Sequence, residues 1–245
     1  MASYGWTYAV QVGIGTGPGL KYYMLQLDLT GVLTWMQCEP SVPDLPQTSP
    51  IFDSSESPTY GYVDARRCKA PYTPAGQDST GIMSPQRPSA VPAYHIRVIG
   101  VLLNRQELSD IPANAFQGGC GVDVGTTMSR MIQPAYGVLD HALMAHLARF
   151  GAQRFAVPGY NLCVLDTPVI RANLPSMALD LYGGTLLDIA PAQLFVVVSD
   201  QGNQYLCFTV VPDEHQTVLG AMQQVNTQFV FDLPNNKISF APAQC

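Results

Sequence analysis

Residues 117–127 read QGGCGVDVGTT, a glycine-rich run in which Asp123 is the only charged residue. An earlier apolar stretch, residues 25–35 (LQLDLTGVLTW), likewise carries a single carboxylate, Asp28. Two carboxylates that lie close together share a proton, because repulsion keeps one protonated while the other is ionised. Such a pair can activate water and protonate a peptide group without a metal. Either aspartate taken alone favours a simpler role, which is to cap its own turn.

The composition predicts a turn-rich β protein. Of the 245 residues, 12% are charged and 47% are apolar, with 21 glycines and 20 prolines, a balance unlike that of a helical bundle. The net charge of −6 and the lack of a large Lys/Arg cluster argue against nucleic acid as a partner. No apolar stretch approaches the roughly 18 residues of a membrane helix, and the first residues lack the features of a signal peptide. We therefore expect no membrane partner.

Periodicity along the chain predicts strands with one helix. Residues 8–15 and 21–29 form a strand pair around GTGPG, and 39–89 read as loop with isolated short strands. Residues 93–104 predict a further strand. In residues 134–151, Tyr136, Leu139, Leu143, Leu147 and Phe150 recur at helical spacing, with Pro134 near the start and Gly151 as the stop. Beyond this helix the pattern predicts a series of short strands.

Several segments carry a family resemblance: YAVQVGIGTGP, MLQLDLTGVLTWMQC, GGCGVDVGTTMSRM, AYGVLDHAL and most of the sequence after residue 160. Over residues 6–68 and 93–245 the chain resembles the plant nepenthesin-like branch of the pepsin-like aspartic peptidases. The resemblance implies two β lobes that each give one aspartate to a cleft for an extended peptide, with Asp28 and Asp123 as the catalytic dyad. We expect this pepsin-like fold with a truncated N-terminal lobe, residues 1–82, and a complete C-terminal lobe, residues 83–245.

The two candidate motifs differ in how well they match the family pattern, Asp-hydroxyl-Gly-hydroxyl. After Asp28, leucine stands at the hydroxyl position and Thr30 at the glycine position, so the first motif is scrambled. A shift by one residue would restore Thr30-Gly31 but would place Leu29 at the acid position. After Asp123, only Val124 departs from the pattern. The resemblance assigns the support of the dyad to four residues: Thr30, Gly31, Gly125 and Thr126.

The segment that supplies the family's flap is not found between Cys68 and Tyr94. Without this lid, exclusion of water and positioning of a substrate are weakened. We therefore expect weak or absent peptide-bond hydrolysis and a protein-binding, inhibitory or regulatory role. The alternative is an active acid endopeptidase, and a third class is a purely structural β protein. A peptide or protein is the expected partner, and the incomplete first lobe predicts self-association.

The cysteines indicate disulfides rather than a metal site, because six widely separated cysteines lack any C-x-x-C spacing. The four histidines also lack a metal-binding spacing, so no metal and no cofactor are expected. The resemblance pairs Cys163 with Cys207 and implies the secretory pathway. It offers Cys120 as a substitute partner for Cys245, or else a buried thiol rather than a nucleophile. Four cysteines are left without a settled pairing: Cys38, Cys68, Cys120 and Cys245.

Overall fold

The structure is a computed structural model that describes residues 8–15, 17–28, 36, 38–39, 50–56, 94–232 and 237–243. The chain divides into two compact units, residues 1–93 and 94–245. Strands predominate in the described residues, which confirms the predicted mostly β, pepsin-like fold. The predicted boundary between residues 82 and 83 falls outside the described residues and stays a prediction. None of the described helices is long and apolar enough to cross a membrane.

The first unit begins with the predicted hairpin. Strand β1 (Ala9–Ile14) pairs antiparallel with β2 (Lys21–Gln26) around a 3₁₀ turn. Gly15 has a φ of 99°, and a Cβ there would lie 2.4 Å from the Gly19 carbonyl oxygen, so the turn requires glycine. Two short parallel strands follow, β3 (Cys38–Glu39) and β4 (Phe52–Asp53). β2 ends at Gln26 rather than at residue 29, which leaves Asp28 just beyond the strand.

The second unit contains fifteen strands and four helices in its described residues. The predicted strand 93–104 is in fact two strands, because its halves join different sheets. Three helices of four residues each interrupt the series of strands that the sequence predicted. In chain order the elements are β5 (Tyr94–Ile96), β6 (Val98–Leu103), β7 (Gln106–Glu107), β8 (Cys120–Val122), β9 (Ser129–Ile132), α1 (Gln133–Ala148), β10 (Arg154–Val157), β11 (Tyr160–Leu165), α2 (Pro168–Arg171), β12 (Met177–Leu181), β13 (Thr185–Ile189), α3 (Pro191–Leu194), β14 (Phe195–Asp200), β15 (Asn203–Phe208), β16 (Val210–Asp213), β17 (Thr217–Leu219), α4 (Ala221–Gln224), β18 (Thr227–Asp232) and β19 (Lys237–Pro242).

These strands form three sheets and a hairpin. The strand orders are β16-β9-β17-β8-β5, β13-β12-β6-β7 and β10-β11-β15-β14, with β18 paired to β19. In the five-stranded sheet, β17 lies between β8, to which it is parallel, and β9, to which it is antiparallel. The turn that joins β8 to β9 must therefore pass around the end of β17. This topology positions Asp123, which directly follows β8.

Helix α1 anchors the core, as its periodicity predicts. Its apolar stripe is buried, and Leu139, Leu143 and Leu147 are each 0% exposed. The helix ends at Ala148, and Gly151 adopts a φ of 80° just beyond it, which confirms the predicted stop. Burial of each leucine stabilises the fold by about 1.5–3 kcal/mol. Because β9 runs directly into α1, this packing also fixes one side of the β8–β9 turn.

The described cysteines confirm one disulfide and one buried thiol. Cys163 and Cys207 are bonded and face each other in the register of β11 and β15, with Cα atoms 4.1 Å apart. Cys120 is a free, fully buried thiol, so it does not form the alternative bridge to Cys245. Burial raises the pKa of the Cys120 thiol to about 12. The side chains of Cys38, Cys68 and Cys245 lie outside the described residues.

Candidate functional site

The Asp123 carboxylate is held in place by its own turn. The residue is 4% exposed, and its backbone N–H donates to the Leu219 carbonyl at 3.1 Å. The Gly125 backbone N–H donates to Oδ1 at 2.8 Å, and the Thr126 hydroxyl donates to Oδ2 at 2.7 Å. Both oxygens therefore accept hydrogen bonds, which fix the orientation of the carboxylate. The same bonds cap the turn, so they fit both a member of a catalytic pair and a simple turn cap, the two roles that the sequence left open for Asp123.

A second segment closes over this turn from the far end of β17. The Ala221 N–H donates to the Thr126 carbonyl at 2.7 Å, and the Met222 N–H donates to the Thr127 carbonyl at 3.1 Å. Gly220 sits at the crossing, where a Cβ would lie 2.7–2.8 Å from backbone atoms of residues 126, 128 and 129. Real Cβ atoms essentially never come so close to backbone. Glycine is therefore required there for space rather than for its φ angle.

Buried polar side chains form hydrogen bonds to the outgoing side of the turn, where it leads into β9. The Gln223 Oε1 accepts hydrogen bonds from the Ser129 hydroxyl at 2.6 Å and from the Ser129 N–H at 3.1 Å. The Ser129 hydroxyl in turn accepts from the Gly220 N–H at 2.8 Å. Sequence reasoning missed all three residues. A glutamine pair and a glycine inside an apolar segment, QTVLGAMQQV, were the available signal.

An apolar cluster lies beside the turn and is built around the disulfide. Met128, from the turn, and Met222, from α4, pack with it. Val157, Val196 and Tyr205 come from the surrounding strands β10, β14 and β15. Both segments that shape the Asp123 turn thus rest on one sheet, which the Cys163–Cys207 bond cross-links.

Asp28 has different surroundings. It belongs to the first unit and follows β2 by two residues, and its side chain is exposed. The backbone N–H of Leu27 still donates to the Tyr8 carbonyl at 2.8 Å, so the hairpin pairing continues almost to the aspartate. Thr30 and Gly31 lie outside the described residues. The grouping of Asp28 with Asp123 as a dyad stays a prediction.

The described residues offer no metal centre. Across the ranges that the structure describes, no group of three or more His, Cys, Asp or Glu side chains is placed to hold a metal ion.

Comparison with known families matches both parts of the chain. A family model described as xylanase inhibitor C-terminal matches residues 93–242, and one described as xylanase inhibitor N-terminal matches residues 8–102.

Similar curated proteins come from plants and are named as aspartic proteinases. Nepenthesin-1 of Nepenthes gracilis is 26% identical over 182 residues, which are 71% of this chain and 40% of that protein. Nepenthesin-2 of the same plant is 25% identical over 165 residues, 62% of this chain and 35% of that protein. Aspartyl protease family protein 2 of Arabidopsis thaliana is 24% identical over 164 residues, 62% of this chain and 32% of that protein.

The chain thus spans 32–40% of the length of these three relatives. The C-terminal family model alone covers more than half of the chain, and it includes the Asp123 turn, α1 and the Gly220 crossing. The matches confirm the resemblance that the sequence motifs indicated. The chain belongs to the plant nepenthesin-like branch of the pepsin-like aspartic peptidase family.

Proposed function

We propose that this protein is a catalytically weakened family member that binds a peptide or protein partner, with weak or absent hydrolysis, and that Asp28 and Asp123 are its candidate functional residues. The observation that carries the proposal is the contrast between the two aspartates. Asp123 is buried and accepts hydrogen bonds at both oxygens, whereas Asp28 is exposed.

Hydrolysis by two carboxylates requires both to be positioned and to hold different protonation states. The second motif supplies two donors to its acid. In the first motif, Leu29 has no hydroxyl to donate, and Thr30 brings a β-branched side chain to the position where the family uses glycine. The sequence of the first motif therefore departs from the family pattern at two positions, whereas that of the second departs at one. This asymmetry favours binding over turnover.

An active acid endopeptidase is the alternative, and the retention of both aspartates favours it. The two hydrogen bonds to Asp123 also hold its carboxylate in one orientation, as acid–base catalysis requires. The named relatives are proteinases, while the matching family models are described by xylanase inhibition. A protein partner, either a substrate or a target enzyme, is the class that both descriptions share.

The test is a cleavage assay with three proteins. Wild type, Asp123→Asn and the control Asp188→Asn, an exposed residue of β13, are incubated with a denatured protein from about pH 3 to pH 7. We expect little cleavage, and no difference among the three. Acid cleavage that Asp123→Asn abolishes and Asp188→Asn preserves would establish the endopeptidase instead.

A binding assay tests the other half of the proposal. A statine-containing peptide, which mimics the transition state of peptide hydrolysis, is titrated into the same three proteins by calorimetry. We expect measurable binding to wild type and Asp188→Asn, and weaker binding to Asp123→Asn. Equal binding by all three, or none, would remove Asp123 from the proposed site.

We further propose a secretory location and self-association. The Cys163–Cys207 disulfide supports an oxidising compartment. The hairpin of the first unit exposes Val10, Leu20 and Tyr22, the kind of apolar surface that a second copy would cover. Sedimentation at high protein concentration tests self-association, and a strictly monomeric profile would contradict it.

A further inference from the structure

We infer that Gln223 is a positioning residue for Asp123: its side-chain amide holds the outgoing side of the Asp123 turn against the body of the second unit. Gln223 is 1% exposed, and its side-chain amide bonds to Ser129, Gln193 and Thr209. It acts through Ser129, the first residue of β9. This role goes beyond the proposed function. It rests on that proposal only in taking Asp123 to be a functional residue.

All four hydrogen-bonding positions of the Gln223 amide are used. Its Oε1 accepts the two bonds from Ser129, and its Nε2 donates to the Gln193 carbonyl at 2.6 Å and to the Thr209 hydroxyl at 2.8 Å. A buried amide with every position satisfied is firmly held, because each unmade bond would leave a desolvated polar group.

The partners also fix which way the amide faces. The Ser129 backbone N–H can only donate, so it must meet the oxygen of the amide. The Gln193 carbonyl can only accept, so it must meet the nitrogen. The resulting bonds run in one direction, from the Gly220 N–H through Ser129 to Gln223, and from Gln223 through Thr209 to the Leu194 carbonyl. An amide rotated by 180° would set its N–H groups against the Ser129 N–H, so it could not complete this series of hydrogen bonds.

The next residue holds the other side of the same turn. Gln224 is 2% exposed, and its Nε2 donates to the Leu219 carbonyl at 2.9 Å. The same carbonyl accepts the Asp123 backbone N–H at 3.1 Å. Helix α4 therefore holds both sides of the turn by hydrogen bonds. Gln224 bonds to Leu219 on the incoming side, and Gln223 bonds to Ser129 on the outgoing side. Gln223 makes the larger set of bonds, so it is the residue whose loss is expected to move the turn.

The experiment follows the Asp123 turn itself, by the NMR amide signals and hydrogen-exchange rates of Asp123, Gly125 and Thr126 in isotope-labelled protein. In Gln223→Met, which keeps the length of the side chain but none of its bonds, the turn is expected to loosen. The loosened turn should move these signals away from their wild-type positions and speed the exchange of the Asp123 and Gly125 amides at least about tenfold, because local opening exposes their N–H groups. The control is Thr217→Val, because Thr217 is 6% exposed and accepts from the Ile132 N–H at 3.2 Å, away from the turn. This control should lower stability while leaving the amide signals of the Asp123 turn unchanged.

Gln223→Glu gives a second, reversible readout. When protonated, the introduced carboxyl can accept from Ser129 and donate one O–H towards Gln193 or Thr209. When ionised, it has no donor and places a charge against the Gln193 carbonyl. Burial raises the pKa of such a group. The amide signals of Gly125 and Ser129 should therefore match wild type at acid pH and move away from it as the pH rises through that pKa.

Three results would overturn the inference. One is a folded Gln223→Met variant in which the amide signals and exchange rates of the Asp123 turn are unchanged. Another is an equal change in Thr217→Val, which would show that any buried hydrogen bond in the unit has this effect. The last is failure of both Gln223 variants to fold at any pH, which would make Gln223 a residue of general folding. Since none of these measurements needs cleavage or binding, a response of Asp123 would stand even if the proposed function failed.

Discussion

Replacing Gly220 by alanine is expected to destabilise the second unit, because the added Cβ collides with backbone on three sides. It would lie 2.7 Å from the Met128 carbonyl carbon, 2.8 Å from the Ser129 nitrogen and 2.8 Å from the Thr126 oxygen. Relief requires the segment to move away by about 0.7–0.8 Å, since an ordinary carbon contact is about 3.5–4.0 Å. That movement lengthens the bond from Ala221 to the Thr126 carbonyl, now 2.7 Å.

The expected cost combines two contributions. Overpacking typically costs about 1–3 kcal/mol, and a weakened hydrogen bond adds about 0.5–1.5 kcal/mol. The total of about 1.5–4.5 kcal/mol corresponds to a fall in Tm of roughly 3–18 °C for a unit of this size. Thermal and urea unfolding, followed by near-ultraviolet circular dichroism, measures both quantities.

Gly137→Ala in helix α1 is the matched control. Gly137 is exposed, and no described atom lies within 4 Å of the position that its Cβ would take. Alanine in a helix interior is better than glycine by about 0.5–1 kcal/mol, so this variant should be more stable than wild type. If Gly220→Ala matched this gain, or changed stability by less than about 0.5 kcal/mol, the close approach at Gly220 would be refuted.

Three further outcomes are expected. Removing the disulfide by replacing Cys163 and Cys207 with alanine should cost about 4 kcal/mol by loop-closure entropy, since 44 residues separate them, and unchanged urea midpoints would contradict this. The Cys120 thiol, whose pKa is raised to about 12, should stay unlabelled by a thiol reagent at about pH 8 until the protein unfolds, and rapid labelling of its peptide in the native protein, measured by mass spectrometry, would show the site to be open. Leu143→Ala should lower the free energy of unfolding by about 3–5 kcal/mol, and a loss below about 1 kcal/mol would be inconsistent with a side chain that is 0% exposed.

The features that the sequence predicted well are those with a local signal. Helix α1 repeats its apolar residues over four turns and carries a proline at one end and a glycine at the other, so its existence and its limits follow from nearby residues. The hairpin β1–β2 is similar, because its turn and its alternation lie within one short stretch. The Cys163–Cys207 bond came from family resemblance rather than from spacing.

The features that the sequence did not predict depend on distant contacts. Helix α4 spans four residues, too few for a period to be recognised, and its residues read equally well as strand. The need for glycine at residue 220 comes from the backbone of residues 126–129, which no local pattern includes. In the same way, glutamine is usually a surface residue, but Gln223 is buried because Ser129 and Thr209 satisfy the hydrogen-bonding groups of its amide.

β17 lies between β8 and β9, which are synthesised much earlier, so this sheet cannot be completed until late in translation. Gly220 follows Ser129 by 91 residues, so a nascent chain that has just left the ribosome with Asp123 cannot yet close the turn. At about 5–20 residues per second, the missing strand arrives roughly 5–20 s later. Until then the Asp123 carboxylate stays hydrated, and the nascent chain lacks the central strand of the five-stranded sheet. The Asp123 turn is thus among the last parts of the second unit to be assembled, and termination before α4 would leave it without the contacts of Gly220 and Gln223.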